Sequence, residues 1–144
     1  DLGTPQAFIK GSSDLVTGEI ETGLVKNKSS KLIGENVKIN ENVEILNGSY
    51  VGNYSSIGKN SKLDNCVIGE NVLIGKNCVI TSSIIASGSK IGDDCKIFDS
   101  VIADNVEIGD GSSCKNDSRI WPNQKLEQIH LDKMTIPENP DWQN

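Results

Sequence analysis

A six-residue pattern recurs ten times between Ile33 and Ser112: an aliphatic residue, a small residue, any residue, a turn-forming residue, a small residue and any residue. The repeats begin at Ile33, Ile39, Val51, Ile57, Ile68, Ile74, Ile85, Ile91, Ile102 and Ile108. A fixed short period is the sequence signature of a solenoid, in which each repeat packs mainly on its neighbours. The pattern therefore predicts an all-β solenoid and by itself indicates little about chemistry.

The repeats group into coils, because aliphatic residues recur at intervals of 17 or 18 residues. We expect three ladders of inward-facing side chains, one for each face of a triangular core. The first ladder is Ile33, Val51, Ile68, Ile85, Ile102 and Ile120, the second is Ile39, Ile57, Ile74, Ile91 and Ile108, and the third is Ile45, Leu63, Ile80, Ile97 and Cys114. About five coils would stack at about 4.8 Å per layer.

The fourth position of the repeat is Asn, Gly or Asp in nine of the ten repeats. These residues tolerate a left-handed backbone better than other residues do, so we expect a tight turn at each of these positions. Tyr54 is the exception. We expect backbone strain or a local deviation at this residue.

Small polar residues align at the third corner of the coils, where the interval between ladders shortens to five residues. They are Ser49, Cys66, Ser83 and Ser100. Their side chains can hydrogen bond along the column or to the backbone, so we interpret them as a structural ladder, with ligand binding as the alternative.

The four cysteines contain no C-x-x-C pair, which argues against a zinc site. They are Cys66, Cys78, Cys95 and Cys114. Two of them, Cys78 and Cys95, occupy the repeat position that Ser61 and Ser112 occupy in other coils. We expect small, buried residues at these positions.

The two ends of the chain depart from the repeat. A helix is predicted over residues 4–16, with Thr4 as N-cap, Pro5 at the first helical position and an apolar face of Phe8, Ile9, Leu15 and Val16. A strand is predicted over residues 19–25. The basic residues Lys26, Lys28 and Lys31 are interpreted as a solvated linker.

At the other end, Trp121-Pro122 is predicted to end the last coil, because proline cannot donate to a strand ladder. Residues 125–136 would then fold back as a cap or dock on a partner, and residues 137–144 would pack loosely or against another subunit. The predicted divisions are residues 1–28 for a preceding segment, helix and linker, residues 29–122 for the solenoid and residues 123–144 for a cap.

The net charge of −6 and the pI near 4.7 argue against nucleic acid as a partner. The sequence contains neither a signal peptide nor an apolar run long enough to cross a bilayer, so we expect no membrane partner and a cytoplasmic location. The only methionine is Met134, so we expect the chain to be a piece of a longer protein.

Few residues have the character of a catalytic site. The only histidine, His130, lies beyond the last predicted coil and is interpreted as a surface or packing residue rather than a general base. Acidic residues stand at exposed turn positions, where solvated carboxylates are expected and calcium binding is the alternative. They are Asp93, Asp94, Asp104 and Asp110.

The segment Asp1-Leu2-Gly3-Thr4-Pro5 resembles the W-x-D-x-G-T-P motif that closes the catalytic domain of nucleoside-diphosphate-sugar pyrophosphorylases. In that family a helix follows the motif and leads to hexapeptide repeats, which is the order found here. Asn65-Cys66-Val67-Ile68-Gly69 and Asp99-Ser100-Val101-Ile102 are similar to the family's N-[SC]-[VI]-I-[GA], and Ile120-Trp121-Pro122 is similar to the end of many mannose-1-phosphate guanylyltransferase tails. The resemblance extends to Pro122 and also covers glucose-1-phosphate thymidylyltransferases.

The resemblance implies a left-handed parallel β-helix with a short N-terminal helix and a C-terminal capping segment. It also implies a parent enzyme that converts a nucleoside triphosphate and a sugar 1-phosphate into a nucleotide sugar and pyrophosphate, with Mg²⁺ bound in part by Asp1. The fragment itself would have no activity. It would serve oligomerisation or regulation through its own catalytic domain and further copies of the chain.

Two other functions remain open. One is the acyl-CoA-dependent acyltransferase domain of a bifunctional enzyme. The other is a regulatory subunit related to translation factors, since such subunits share this pair of domains.

Overall fold

The computed structural model describes residues 4–17 and 31–138. These residues form one helix, α1 (Pro5–Thr17), and nineteen short strands. In chain order the strands are β1 (Lys31–Ile33), β2 (Lys38–Ile39), β3 (Glu44–Leu46), β4 (Ser49–Val51), β5 (Ser56–Ile57), β6 (Lys62–Asp64), β7 (Val67–Ile68), β8 (Leu73–Ile74), β9 (Val79–Thr81), β10 (Ile84–Ile85), β11 (Lys90–Ile91), β12 (Lys96–Phe98), β13 (Val101–Ile102), β14 (Glu107–Ile108), β15 (Ser113–Lys115), β16 (Arg119–Ile120), β17 (Lys125–Leu126), β18 (His130–Asp132) and β19 (Thr135–Ile136).

The strands form three parallel sheets, and each coil contributes one strand to each sheet. Sheet A has the order β1-β4-β7-β10-β13-β16-β19. Sheet B has the order β2-β5-β8-β11-β14-β17, and sheet C has the order β3-β6-β9-β12-β15-β18. The described chain therefore makes six complete coils and begins a seventh at β19.

The three predicted ladders pair in the expected register and face the interior, with the exception of Ile39 in the first coil, which is 41% exposed because it stacks on Ile57 on one side only. In sheet B, for example, Ile57 pairs with Ile74 and Ile74 with Ile91, and all three side chains are buried. Each ladder also continues beyond its predicted end, to Ile136 in sheet A, Leu126 in sheet B and Leu131 in sheet C. Stacked aliphatic side chains thus form one continuous core along the solenoid.

The turn prediction is also confirmed. All ten residues at the fourth repeat position have a positive φ, between 55° and 77°. Tyr54 shares this conformation with φ of 63°, which is strained for an aromatic residue. Its side chain is 56% exposed, so core packing does not compensate for the strain.

The predicted number of coils was too small. Pro122 does not end the solenoid, because it lies in the turn between β16 and β17, where no ladder hydrogen bond requires its missing N–H group. The preceding Trp121 donates its backbone N–H to Ile136 O at 2.8 Å and so joins the sixth coil to β19. Residues 125–136, predicted to fold back as a cap, form β17, β18 and β19 instead.

Helix α1 begins as predicted. Thr4 Oγ1 accepts a hydrogen bond from Ala7 N at 3.1 Å, the contact of an N-cap residue. The predicted apolar face is only partly correct, since Ile9 is 5% exposed but Phe8 is 42% exposed. The side chains of Leu15 and Val16, and the strand predicted over residues 19–25, lie outside the described part of the chain.

Candidate functional site

The serine column at the corner between sheets C and A is structural. Ser83 Oγ donates a hydrogen bond to Thr81 O at 2.9 Å and accepts one from Ser100 N at 3.1 Å. Ser49, Ser100 and Ser118 likewise donate to backbone carbonyls. Because these hydroxyls are buried and already paired with the backbone, the column stabilises the corner and presents no binding groups to solvent.

The cysteines are free thiols buried in the core, as expected. Burial raises the pKa of the Cys66 thiol to about 12 and that of Cys114 to about 12. The neighbouring Cys95 thiol and burial together raise the pKa of Cys78, whose Sγ donates to Gly92 O at 3.1 Å. A buried thiol with a raised pKa is a poor nucleophile, so Cys66, Cys78 and Cys114 act as packing groups. The hydrogen bond with Cys78 lowers the pKa of the Cys95 thiol instead, and this side chain is also fully buried.

The acidic residues at the turns support neighbouring coils. Asp93 Oδ1 accepts a hydrogen bond from Lys76 N at 3.0 Å, and Asp110 Oδ1 accepts one from Asp93 N at 2.7 Å. Asp94 occupies a left-handed turn position, and Asp104 is exposed. Within residues 4–17 and 31–138, no three His, Cys, Asp or Glu side chains are grouped to hold a metal ion.

The sequence pattern placed His130 beyond the last coil. In the structure it lies in strand β18 of the sixth coil. Its Nδ1 is 2.8 Å from Ser113 Oγ, the residue paired with it on the neighbouring strand β15. Lys96 occupies the next place along the same column of sheet C. A hydroxyl at hydrogen-bond distance from an imidazole is the arrangement of a nucleophile and a general base.

A shallow groove of about 530 Å³ lies between the fifth and sixth coils, and the residues that line it are close in sequence to Ser113 and His130. It is lined by Glu107, Ile108, Gly109, Asp110, Lys125, Leu126, Glu127 and Gln128. The interval from Leu126 to Leu131 is one residue shorter than the interval from Ile108 to Cys114, so the two turns do not stack evenly. The lining segments lead directly into Ser113 and His130.

The outer surfaces of the three sheets differ in charge. The outward column of sheet B is largely charged, and Glu107 lies 3.6 Å from both Lys90 and Lys125. In sheet A, the residue before each inward aliphatic residue faces outward. Over the first five coils these residues form an uncharged column, here called the apolar stripe: Leu32, Tyr50, Val67, Ile84 and Val101. The stripe ends at the sixth coil, where Arg119 follows Val101.

Helix α1 packs against β1 and β4, the first two strands of sheet A. The burial of Ile9 shows that the helix uses an apolar contact there. Val67, Ile84 and Val101, farther along the stripe, are partly buried and keep only part of their surface exposed in the described part of the chain.

The remaining predicted site residues are placed as follows. Asp1, the one residue assigned to metal by resemblance, lies outside the described residues, as do Lys26 and Lys28. Lys31 is exposed at the start of β1. In the ranges that the structure covers, no helix is both long and apolar enough to cross a membrane.

Comparison with known proteins defines the class. Residues 28–130 match the family described as the EIF2B subunit epsilon LbH domain, in which LbH denotes a left-handed β-helix. The chain belongs to this family. The predicted all-β fold, a left-handed parallel β-helix built from hexapeptide repeats, is therefore confirmed, with six complete coils rather than about five.

Among curated proteins, the chain is similar to mannose-1-phosphate guanylyltransferase of Mycobacterium tuberculosis (strain ATCC 25618 / H37Rv). The two are 33% identical over 73 residues, which is 50% of this chain and 20% of that protein. The chain thus spans about a fifth of the length of this relative.

Solved structures with the same fold include two acetyltransferases. One is a point mutant of perosamine N-acetyltransferase from Caulobacter crescentus in complex with CoA and GDP-perosamine, with a TM-score of 0.67, 17% identity and coverage of 76% of this chain and 52% of that chain. The other is the acetyltransferase domain of PglB from Neisseria gonorrhoeae in complex with acetyl coenzyme A, with a TM-score of 0.65, 17% identity and coverage of 76% and 55%. At this identity the similarity shows the fold alone.

Proposed function

We propose that this chain is the C-terminal β-helix domain of a sugar-1-phosphate nucleotidyltransferase, in which it serves assembly and regulation. The observation that carries the proposal is the 33% identity to mannose-1-phosphate guanylyltransferase over 73 residues. The order of the segments supports it. An Asp-x-Gly-Thr-Pro motif leads into α1, whose N-cap is Thr4 of that motif, and the coils follow.

The chemistry of such a parent enzyme belongs to its catalytic domain. A sugar 1-phosphate attacks the α-phosphorus of a nucleoside triphosphate, and pyrophosphate leaves. Mg²⁺ would neutralise the charge on the phosphates. By resemblance, Asp1 would supply one magnesium ligand, and the described residues bring no further acidic ligands together for it. The role of residues 31–138 would thus be mechanical.

A β-helix suits a mechanical role because each coil is fixed to two neighbours by parallel hydrogen bonds and a continuous core. Its flat outer faces can brace a catalytic domain or join subunits. The apolar stripe and the helix packed on sheet A provide such a face on the side where the motif enters.

Two measurements test this proposal. The chain alone, incubated with GTP, mannose 1-phosphate and Mg²⁺, should release no pyrophosphate above background. Two variants of the mycobacterial relative should then be compared. One is truncated and lacks the region that matches this chain, and the other is a chimera that carries residues 1–144 in place of that region. The chimera should recover kcat/KM or subunit assembly that the truncated enzyme lacks. Turnover by the isolated chain, or a chimera no better than the truncated enzyme, would contradict the proposal.

The second candidate function is an acyl-CoA-dependent acyltransferase domain of a bifunctional enzyme. The observation that favours it is the contact of 2.8 Å between His130 Nδ1 and Ser113 Oγ, on the fifth and sixth coils, whose preceding strands line a groove. An imidazole at this distance can accept a proton from a hydroxyl. The groove would hold the acyl-CoA, and an adjacent subunit would complete it.

Calorimetry with acetyl-CoA tests this second function. Measurable binding that is lost in both His130→Ala and Ser113→Ala would support it, provided that Ser56→Ala, a change on the outer face of sheet B, keeps the binding. Absence of heat with the unaltered chain would contradict it.

The family match favours a third candidate, a regulatory subunit of the EIF2B epsilon type. Regulatory forms are expected to lack the glycine-rich nucleotide loop that an active nucleotidyltransferase carries in its catalytic domain. The sequence of the gene upstream of Asp1 tests this candidate, because an intact loop there would support the enzyme and a lost loop would support the regulatory subunit.

A further inference from the structure

We propose that the groove between the fifth and sixth coils binds a basic segment of a partner protein, anchored by an arginine side chain. The inference goes beyond the proposed function, because it gives a partner of stated chemistry to a surface that the assembly role does not use. The groove occupies about 530 Å³ and is shallow. A shallow groove admits a chain that continues past it, whereas small-molecule sites enclose most of their ligand.

The groove exists because the sixth coil does not stack on the fifth in the register of the preceding coils. Gly92 N donates to the carbonyl of Ile108, the inward aliphatic residue of the coil that follows, at 3.0 Å. The N–H of Gly109, the equivalent residue one coil later, donates to Glu127 O at 3.3 Å rather than to the carbonyl of Leu126. This slip and the longer hydrogen bond separate the two coils at the turn after sheet B.

The charges that line the groove do not balance. Lys125, the cation among the lining residues, lies 3.6 Å from Glu107, and Glu107 lies at the same distance from Lys90. Asp110 and Glu127 are exposed, and in the part of the chain that the structure describes neither side chain forms an ion pair. The groove therefore presents two carboxylates to a cationic group.

The corner between sheets B and C, which bears the groove, changes charge along the rod. Lys59 and Lys76 follow the turn glycine in the second and third coils. Asp93 and Asp110 follow it in the fourth and fifth coils, and Asp94 is next to Asp93. A basic partner is therefore attracted to the end of the corner where the groove lies and repelled from the other end.

An arginine side chain fits both the charge and the apolar surface of the groove. Its guanidinium donates paired hydrogen bonds to carboxylates such as those of Asp110 and Glu127, and it stays charged at any physiological pH. Its methylene groups can lie against Ile108, which is buried, and Leu126, which is partly buried. The phosphates of an acyl-CoA would meet the same two carboxylates, so the charge of the groove favours a basic peptide over that ligand.

Fluorescence anisotropy with two labelled peptides tests the proposal. The arginine probe is Gly-Arg-Val-Arg-Val-Gly, and the acidic probe carries glutamate in place of both arginines. The unaltered chain should bind the arginine probe with a dissociation constant on the order of 10–300 μM, because a short peptide buries little surface. The affinity should fall as salt is added, since the carboxylates are exposed. The acidic probe should not bind.

The double variant Asp110→Asn/Glu127→Gln should raise the dissociation constant of the arginine probe about ten-fold or more, because both carboxylates are removed. Asparagine at position 110 retains the oxygen that accepts a hydrogen bond from Asp93 N, so the turn should persist. The matched control, Glu70→Gln/Asp104→Asn, removes the same charge from two exposed turn residues at the corner between sheets A and B. It should change the constant by less than about two-fold, because salt screens distant charges.

Charge reversal provides a second measurement. Glu127→Lys should lose the arginine probe and gain affinity for the acidic probe, because the groove then presents an ammonium group. Circular dichroism of each variant checks that the coils remain folded.

Four outcomes would overturn the proposal. The first is an arginine probe that does not bind, and the second is equal loss of its binding in the groove variant and the control. Displacement of the probe by acetyl-CoA would assign the groove to the second candidate function. Spermidine that binds as tightly as the probe would assign the groove to small cations. Pyrophosphate release and the chimera are measured without the peptide, so the proposed function is tested separately.

Discussion

The backbone conformation of one residue at each turn determines how tightly the coil closes. Tyr54 illustrates the energetic cost of an unsuitable residue at a turn, because it occupies a left-handed position that Asn36 and Asn71 fill in the coils on either side. Its backbone N–H donates to Glu35 O at 2.9 Å, so the turn keeps its hydrogen bond despite the unfavourable residue type. The surrounding coils thus impose the conformation on the tyrosine.

We predict that Tyr54→Asn stabilises the protein by roughly 0.5–1 kcal/mol, because asparagine tolerates positive φ better than tyrosine does. The free energy of unfolding in urea measures the effect. Tyr54→Phe is the control and should leave stability nearly unchanged, since it retains the aromatic ring and the strain. A loss of stability in Tyr54→Asn would show that the exposed ring contributes more than the strain costs.

Cys66 makes the free energy of unfolding depend on pH in the alkaline range. Its thiol has a usual pKa near 9 and a pKa of about 12 in the folded protein, where burial disfavours the thiolate. Above pH 9 the unfolded chain loses this proton while the folded chain keeps it, so the free energy of unfolding falls as the pH rises from about 9 towards 12.

Cys66→Ser should reduce this alkaline loss of stability, because serine fills the same slot as Ser83 in the next coil and does not titrate in that range. Urea unfolding at several pH values above and below 9 provides the measurement. An unchanged pH dependence in the variant would assign the loss to other groups.

At the level of elements, short strands are held together by hydroxyl and thiol groups placed at the corners. Ser61 Oγ donates to Gly75 O at 2.7 Å and accepts a hydrogen bond from Cys78 N at 3.0 Å. In the next coil, Cys78 takes the place of the serine and donates to Gly92 O. A two-residue strand offers few hydrogen bonds of its own, so these corner groups supply part of the contact between successive coils.

Ser61→Ala should destabilise the protein by about 1–3 kcal/mol, because it leaves the buried Cys78 N–H and Gly75 O with one partner fewer. Ser61→Cys should cost less, since a thiol occupies the equivalent slot in the two coils that follow. Ser56→Ala, on the outer face of sheet B, should stay within about 0.5 kcal/mol of the unaltered protein. Equal losses in the alanine and cysteine variants would contradict a hydrogen-bonding role.

The sequence was sufficient to predict the regular elements, because each repeat specifies its own inward residue and turn. The sixth coil was missed, since Pro122 indicated the end of the ladders and the interval from Leu126 to Leu131 is five residues rather than the six between Ile108 and Cys114. The contact between Ser113 and His130 depends on the register of that coil and was therefore missed as well. The apolar stripe, by contrast, is visible in the sequence as the uncharged residue before each inward residue of sheet A in the first five coils.

At the level of the whole molecule, stability is expected to grow with the number of coils, because each coil contacts only its neighbours. Among the described residues, long-range order depends on repetition rather than on contacts between distant segments. The solenoid should therefore accept removal of one whole coil.

We predict that deleting residues 68–84, which joins Val67 to Ile85 and preserves the ladders, yields a folded chain with a lower melting temperature and a shorter rod. Circular dichroism and thermal unfolding measure the first two properties, and small-angle X-ray scattering measures the length of the rod. Deleting residues 68–76 is the control. It removes about half a coil, including strand β8, so the strands that follow are directed to the wrong sheets, and it should prevent cooperative unfolding. Equal behaviour of the two deletions would contradict a core built from strict ladders.

The position of Trp121 beside the last coils has a practical consequence for unfolding studies. The chain has two tryptophans, and Trp121 is joined through its backbone to β19 at the C-terminal end of the rod. In a Trp142→Phe variant, its emission would report on the surroundings of that end, whereas far-ultraviolet dichroism averages over every coil. If the rod unravels from one end, the two spectroscopic midpoints will separate, and their order will reveal which end comes apart first.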